Sequence, residues 1–209
     1  MLSRIDEIIF PNRCEVLEIA ALQRFVYPIY KNGRTSLIYA PKYEFKTLIN
    51  QQIRKAPVID IILRPPIDRF ISGVNTFVYN TKQENPQLDV NTIVYFAENY
   101  LFLNRHYAPQ LSWLINLNKH LGENAQLRLH DMSLLSEVTT KQMAPFEDKL
   151  LSEEQITRLR ENIHNELYIR LDSLLFQLVG REMSFREILT YLSEQDPIAY
   201  SKLSCTALD

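Results

Sequence analysis

The sequence is poor in cysteine and glycine and has no long run of apolar residues. Its two cysteines, Cys14 and Cys205, lie far apart and lack metal-binding or redox spacing, which favours two free thiols over a disulfide framework. Charged side chains recur through the first 20 residues, so no apolar core of a secretory signal can be drawn there. No stretch is long and apolar enough to cross a membrane. We therefore expect a cytoplasmic protein that does not enter membranes.

The overall charge is close to neutral, with a formal net value of −2. Such a chain has no global basic field, which argues against a nucleic-acid partner. An anionic ligand would have to be held by a local group of cations. No set of His, Cys, Asp and Glu shows the spacing of a metal site, so we expect no bound metal. The sequence carries no signal about oligomeric state.

The pattern of apolar residues predicts the fold class. Apolar residues make up 46% of the chain, enough for the core of one domain, expected over residues 1–209. Residues 24–30 and 57–63 form apolar runs typical of buried strands, and 126–132 alternates as a strand does. Helical spacing appears between these segments and again over 152–178. Strands that alternate with helices predict an α/β fold, with a central parallel sheet flanked by helices and ligands beyond the carboxyl ends of the strands.

Prolines bound several of these predicted elements. Pro41 closely follows the first helical segment and predicts that this helix is short or kinked. Pro65 and Pro66 suit the first turn of a helix whose apolar side continues to Val78. Residues 81–91 are polar and contain another proline, so they are predicted to form a surface loop.

The first candidate site lies where the first strand passes into a helix, and it comprises Lys31, Asn32, Gly33, Arg34, Thr35 and Ser36. The N–H groups at a helix start bind anions, and Gly33 lets the backbone turn tightly toward one. Lys31 adds a mobile positive charge, while Thr35 and Ser36 add hydroxyl donors. The spacing is not that of a Walker A loop. A capped turn with a surface lysine would look the same.

The second candidate site begins at Arg64, at the end of the second strand, and includes Ser72 eight positions later. The planar guanidinium of Arg64 can bind a phosphate through two hydrogen bonds, and Ser72 lies about two helical turns further on. The alternatives are a salt bridge at the rim for Arg64 and a bond to the helix backbone for Ser72.

Taken together, the two segments resemble a known family. YPIYKNGRTSL is similar to the 5′-phosphosulfate-binding loop of sulfotransferases that use 3′-phosphoadenosine-5′-phosphosulfate (PAPS). LRPPIDRFISGV resembles their 3′-phosphate-binding segment, written R-D-P-x-x-R-x-x-S, with Arg64, Arg69 and Ser72 retained and Pro65 in place of the usual aspartate. NELYIRLDSLLF resembles a late helix of the carbohydrate sulfotransferases. The resemblance spans roughly residues 24–178 and implies a three-layer, P-loop-like sulfotransferase fold.

The third motif, NRHYAPQ, is similar to an H-[WF]-x-P-Q element of carbohydrate-modifying sulfotransferases, with Tyr107 in the aromatic position. A neutral imidazole is a suitable base for an acceptor hydroxyl, so His106 is our first candidate. A structural histidine that only fixes the loop is the rival interpretation, and Glu44 is a second candidate base. The only tryptophan, Trp113, lies on an apolar pattern that favours core packing over stacking on adenine.

The resemblance implies a reaction and a set of partners. PAPS would be the donor and 3′-phosphoadenosine-5′-phosphate (PAP) the product, and the acceptor would be a hydroxyl of a glycan or a small molecule. Lys31 and the segment 31–36 would hold the 5′-phosphosulfate, whereas Arg64 and Ser72 would hold the 3′-phosphate. Two alternatives stay open: a nucleotide kinase or nucleoside triphosphatase, and a noncatalytic nucleotide-binding module of the same fold.

Overall fold

A computed structural model describes residues 14–102, 104–141, 150–163 and 166–207, the last five of these through their backbone alone. Its described strands form one sheet in the order β3-β1-β2-β4-β5-β6. They are β1 (Glu15–Ile19), β2 (Arg24–Tyr27), β3 (Lys46–Ile49), β4 (Val58–Ile62), β5 (Gln126–His130) and β6 (Glu182–Met183).

The centre of the sheet is parallel and its edges are antiparallel. Val26 of β2 pairs with Asp60 of β4, and Ile59 of β4 pairs with Leu127 of β5, both in parallel register. Strands β1, β3 and β6 each run antiparallel to a neighbour. The predicted parallel sheet is therefore confirmed for its three central strands, and the sequence analysis missed the three outer strands.

The described helices connect and cover these strands. They are α1 (Arg34–Tyr39), α2 (Pro66–Glu84), α3 (Val90–Asn99), α4 (Gln110–Asn118), α5 (Leu134–Val138), α6 (Glu153–Ile163), α7 (Leu167–Phe176), α8 (Phe185–Gln195) and α9 (Pro197–Ala207). Two short 3₁₀ helices occupy Ala20–Leu22 and Asn50–Lys55. As predicted, α1 is short, and α2 begins with Pro66 in its first turn.

Two predicted boundaries are wrong. The segment 152–178 forms two helices instead of one, because Glu166 accepts a hydrogen bond from the N–H of Tyr168 and starts α7 afresh. The predicted loop 81–91 is shorter, since α2 continues to Glu84. Favourable helix formers at its end extend a helix that is already nucleated.

Alternating strand residues build a core on each face of the sheet. On one face Tyr27, Ile59 and Leu127 pack with α4, α7 and α8. On the other face Val26 and Ile62 pack with α1 and α5. A third apolar cluster joins α2, α3, α6 and α7. The protein is thus a mixed α/β structure whose helices lie on both faces of a six-stranded sheet.

One strand position breaks the apolar pattern. Asp60, in the middle of β4, is 2% exposed. Its Oδ1 lies 2.7 Å from Nε2 of His130 and 3.6 Å from Nη1 of Arg128, and its Oδ2 lies 3.9 Å from Nε of Arg24. A buried carboxylate is tolerated when it is paired in this way, and here the pairing connects β2, β4 and β5.

None of the described helices has both the length and the apolar character that a bilayer crossing requires.

Candidate functional site

The candidate site lies beyond the carboxyl ends of β2 and β4, which are neighbouring strands at the centre of the sheet. The two segments that follow these strands touch, although they are 33 residues apart in the chain: Nη1 of Arg64 donates to the carbonyl of Lys31 at 3.4 Å. Asn32 adds a second link, because its Nδ2 donates to the carbonyl of Ile62 at 2.8 Å. Parallel neighbouring strands bring their carboxyl ends to one edge, which is why both segments gather here.

The loop after β2 turns through two left-handed residues. Lys31 has a φ of 65°, which costs a non-glycine residue about 1 kcal/mol. The N–H of Asn32 donates to the carbonyl of Ile29 and closes the turn at 3.1 Å. Gly33 follows with a φ of 86°, and a Cβ there would lie 2.4 Å from Cδ1 of Leu135. The tight turn predicted at Gly33 is therefore confirmed, and the close packing of Leu135 in α5 is a second reason for glycine that the sequence did not reveal.

Helix α1 is shorter than a helix that would present a strong dipole to an anion. It has six residues, so it adds little dipole at its start. Arg34 is engaged by Glu15, with Nη2 and Oε2 3.6 Å apart. Thr35 is exposed, while Ser36 is buried at 2% exposure. Lys31, Arg64 and Arg69, which lie outside α1, add further positive charge at the site.

Arg69 is buried behind the loop and ties it to the third motif. It is 1% exposed, and its Nε donates to the carbonyl of Tyr30 at 3.2 Å while its Nη1 donates to the carbonyl of Ala108. Its Nη2 and the Oδ1 of Asn32 find no hydrogen-bond partner among the described residues. Buried polar atoms without partners are costly, so a ligand or water that reaches them would be held firmly.

Three cations lie together at the site, and the pKa of each is lowered. Burial, together with the charges of Arg64 and Arg69, lowers the pKa of Lys31 to about 8. Burial also lowers the pKa of Arg64, and it lowers that of Arg69 to about 10. A bound anion would relieve this repulsion and favour the charged form of each group. The electrostatics of the site therefore favour anion binding.

His106 lies beside these cations. Burial and the positive charges of Lys31, Arg105, Arg69 and Arg34 lower the pKa of its imidazole from 6.5 to about 4. The ring is therefore neutral at pH 7 and has a free lone pair for a proton. Its Nδ1 is buried without a hydrogen-bond partner in the described part of the chain.

The loop that carries His106 is packed directly on α2. A Cβ at Gly73 would lie 2.3 Å from the carbonyl oxygen of His106 and 2.7 Å from Cβ of Tyr107. Tyr107 is fully buried, and its ring meets Phe70 and Phe77 edge to face, with centroids 5.8 and 5.5 Å apart. The aromatic position of the motif is therefore an anchor in the core, and Gly73 permits the close approach.

Tyr30 joins the loop after β2 to the His106 loop. Its ring lies 5.1 Å from that of His106, edge to face, and stacks on Trp113 at 5.4 Å. The guanidinium groups of Arg34 and Arg105 lie over it at 4.5 and 4.6 Å. Trp113 is 6% exposed and belongs to the core, which confirms the packing predicted for it.

Gln110, the last residue of the third motif, is a site residue to which the sequence analysis gave no role. It is fully buried, and its Oε1 accepts from Nδ2 of Asn32 at 2.6 Å and from the N–H of Arg64 at 3.0 Å. Its Nε2 donates to the carbonyl of Arg64 at 2.9 Å. One amide therefore binds both candidate segments at once.

Asp172 of α7 anchors the start of α4. Its two carboxylate oxygens accept from the N–H groups of Gln110 and Leu111 at 2.6 and 2.7 Å. Burial raises the pKa of Asp172 to about 6, although both hydrogen bonds and the charge of Arg69 act in the opposite direction. The aspartate belongs to a sequence segment that resembles sulfotransferases, but only the structure shows what it holds.

The structure also places Ser72 and Glu44, two further residues that the sequence suggested for the site. Ser72 is partly buried in α2, one position before Gly73. Glu44 is exposed just before β3, whose first residue pairs with Glu18, and Glu18 in turn pairs with Phe25 near the start of β2. Glu44 thus lies toward the amino end of β2, whereas Lys31 follows its carboxyl end. The structure therefore does not bring Glu44 to the site.

Cys14 is the cysteine whose side chain the structure describes. Cys14 is a free thiol, and burial raises its pKa to about 12; the side chain of Cys205 lies outside the described residues. Within the described ranges, no three His, Cys, Asp or Glu side chains gather as a metal-binding group.

No protein-family model, curated protein or solved structure matches this chain.

Proposed function

We propose that this protein is a sulfotransferase that moves the sulfuryl group of PAPS onto a hydroxyl of a glycan or small-molecule acceptor. The observation that carries the proposal is the meeting of the two segments that resemble PAPS-binding motifs, with the Arg64 guanidinium against the carbonyl of Lys31. The three-layer, P-loop-like fold of that family belongs to the same proposal. It is supported by the sequence β2, loop, α1 and by the helices on both faces of the sheet.

The charge of the site supports a ligand with several negative groups. The charge of Arg64 lowers the pKa of both Lys31 and Arg69, and Arg69 lowers that of Lys31, so a polyanion bound among them gains from all three charges. A 5′-phosphosulfate would lie against Lys31, and a 3′-phosphate would lie toward Arg64 and Ser72. The partnerless Nη2 of Arg69 and Oδ1 of Asn32 add polar atoms for ligand or water.

In the proposed reaction the acceptor oxygen attacks sulfur in line with the leaving group. A new S–O bond forms while the bond from sulfur to the bridging oxygen of the 5′-phosphate breaks, and PAP leaves with the electron pair. Lys31 stabilises charge on the bridging and nonbridging oxygens, as cations do in phosphoryl transfer. The proton of the acceptor hydroxyl passes to His106.

The low pKa of His106 fits this role once the donor binds. At a pKa of about 4 the free imidazole is a weak base, because burial and four nearby cations oppose its protonation. The negative charges of PAPS would offset those cations and raise the pKa of His106 toward neutrality. Donor binding would therefore prepare the base.

The decisive variant is Lys31→Ala. We expect turnover in a radiolabelled-sulfate assay to fall by about 100-fold or more, since the variant lacks the cation that meets the leaving oxygen. Lys55→Ala is the matched control. Lys55 is exposed and precedes the amino end of β4, whereas the site lies beyond the carboxyl end of that strand. Turnover by folded Lys31→Ala at the control rate would refute the mechanism.

Calorimetry separates the proposal from its alternatives. A sulfotransferase prefers PAP to ADP, whereas a kinase or nucleoside triphosphatase prefers ADP with magnesium. A noncatalytic module would bind PAP and transfer nothing to any hydroxyl acceptor. Tight binding of ADP with no preference for PAP would contradict the proposed donor.

A further inference from the structure

Gln110 makes three hydrogen bonds that connect the two candidate anion-binding segments. Its Oε1 receives Nδ2 of Asn32 at 2.6 Å and the N–H of Arg64 at 3.0 Å, and its Nε2 donates to the Arg64 carbonyl at 2.9 Å. The side chain is fully buried, so water cannot replace these partners easily. Gln110 thus fixes the backbone of Arg64 from both sides and joins it to the loop after β2.

Only a carboxamide satisfies this arrangement. The N–H of Arg64 requires an acceptor and its carbonyl requires a donor, and an amide presents one of each on the same planar group. A carboxylate would place an oxygen against the Arg64 carbonyl at the 2.9 Å now spanned by a hydrogen bond. An apolar side chain would leave both backbone groups buried without partners.

The two segments depend on Gln110 to different degrees. The loop after β2 has its own link to β4, because Nδ2 of Asn32 also donates to the carbonyl of Ile62 at 2.8 Å. Arg64 has only the 3.4 Å contact from its guanidinium to Lys31 besides the bonds to Gln110, among the hydrogen bonds described for it. Loss of Gln110 would therefore displace Arg64 more than Lys31.

Gln110 itself is held from the far side of the core. Asp172 accepts the N–H of Gln110 at 2.6 Å and that of Leu111 at 2.7 Å, so the first turn of α4 is pinned to α7. The position of the amide is thus set independently of any ligand.

We propose that Gln110 is a positioning residue that sets the separation of the two anion-binding segments. Through that separation it gives the site its preference for a nucleotide with anionic groups at both the 5′ and the 3′ positions. This inference rests on the proposed function. It adds that the 3′-phosphate is selected through the backbone of Arg64, which Gln110 holds in place.

The test compares PAP with adenosine 5′-phosphosulfate, which has the 5′ group but no 3′-phosphate. Binding is followed by the fluorescence of Trp113, the only tryptophan, which stacks on Tyr30 in the site. We expect Gln110→Met to weaken PAP binding at least tenfold and to change binding of adenosine 5′-phosphosulfate less than threefold. Gln83→Met is the matched control, because Gln83 is exposed on α2.

Two further variants extend the test, and the first of them, Gln110→Glu, replaces Gln110→Met if that variant folds poorly. Gln110→Glu should weaken PAP more than adenosine 5′-phosphosulfate, since its second carboxylate oxygen would face the Arg64 carbonyl and displace Arg64. In an Arg64→Ala background, Gln110→Met should have almost no further effect on PAP binding, because the residue acts through Arg64. A merely structural role would instead weaken both nucleotides and add to the effect of Arg64→Ala.

The outcomes are distinguishable. If the wild-type protein does not prefer PAP to adenosine 5′-phosphosulfate, the proposed function and this inference both fail. If the wild type prefers PAP and folded Gln110→Met retains the same preference, only the role of Gln110 is overturned. Additive effects of Gln110→Met and Arg64→Ala would overturn it as well.

Discussion

The depressed pKa of His106 makes stability depend on pH in a way that one substitution isolates. Burial is the main cause and nearby cations add to it, so the native imidazole titrates at about 4 whereas the unfolded one titrates at about 6.5. Between these values the unfolded chain binds a proton that the native protein rejects. Stability is therefore fully present above pH 6.5 and is lost as the pH falls toward 4.

The size of this loss follows from the two pKa values. Between pH 7.5 and pH 5 the proton taken up by the unfolded chain lowers the free energy of unfolding by about 2 kcal/mol. Partial solvent access to the ring reduces the figure, so we expect about 1–2 kcal/mol. His106→Gln cannot take up this proton and should lose that much less stability over the same range.

Urea unfolding of both proteins, followed by the fluorescence of Trp113, measures the difference. The useful quantity is the change with pH in the stability gap between wild type and His106→Gln, because other titrating groups cancel in it. NMR titration of the imidazole resonances provides an independent pKa. A gap that stays constant from pH 7.5 to 5, or a native pKa for His106 near 6.5, would refute the reasoning.

Two further substitutions test the packing that supports the site. Gly73→Ala should destabilise the protein by about 1–3 kcal/mol in urea unfolding, because the added Cβ would push against the carbonyl oxygen of His106. For the same reason it should reduce turnover more than it weakens PAP binding. An unchanged free energy of unfolding would contradict this. Asp172→Ala leaves two buried N–H groups without their acceptor, so it should cost about 2–4 kcal/mol and weaken PAP binding through Gln110. Full PAP affinity in folded Asp172→Ala would show that Gln110 does not need this anchor.

Local patterns predicted the central elements correctly. The apolar runs around β2 and β4 mark strands buried on both faces, and Pro66 marks the first turn of α2. The outer strands were missed because β1, β3 and β6 are short and gain their stability from their neighbours. The break between α6 and α7 was missed because helical spacing continues across it.

The candidate site was predictable in part. The segment 31–36 and Arg64 could be chosen from the sequence because their residue types suit anions and because they follow predicted strands. The roles of Gln110 and Asp172 could not, since each depends on bonds to residues that are 46 to 78 positions away. The quoted motif contained Gln110, but a motif does not reveal which backbone groups an amide will meet.

The sequence by itself therefore determined the central strands, the short first helix and the cationic residues beside them, since these depend on the chemistry of neighbours in the chain. Only the tertiary structure decided that Arg64 contacts Lys31 and that Gln110 joins them. It also decided that Glu44 lies toward the amino end of β2, away from Lys31. Contacts of this kind depend on the order of the strands, on the crossover connections between the parallel strands and on the packing of α2 against the His106 loop. No local pattern encodes them, because they form only when distant segments are buried together.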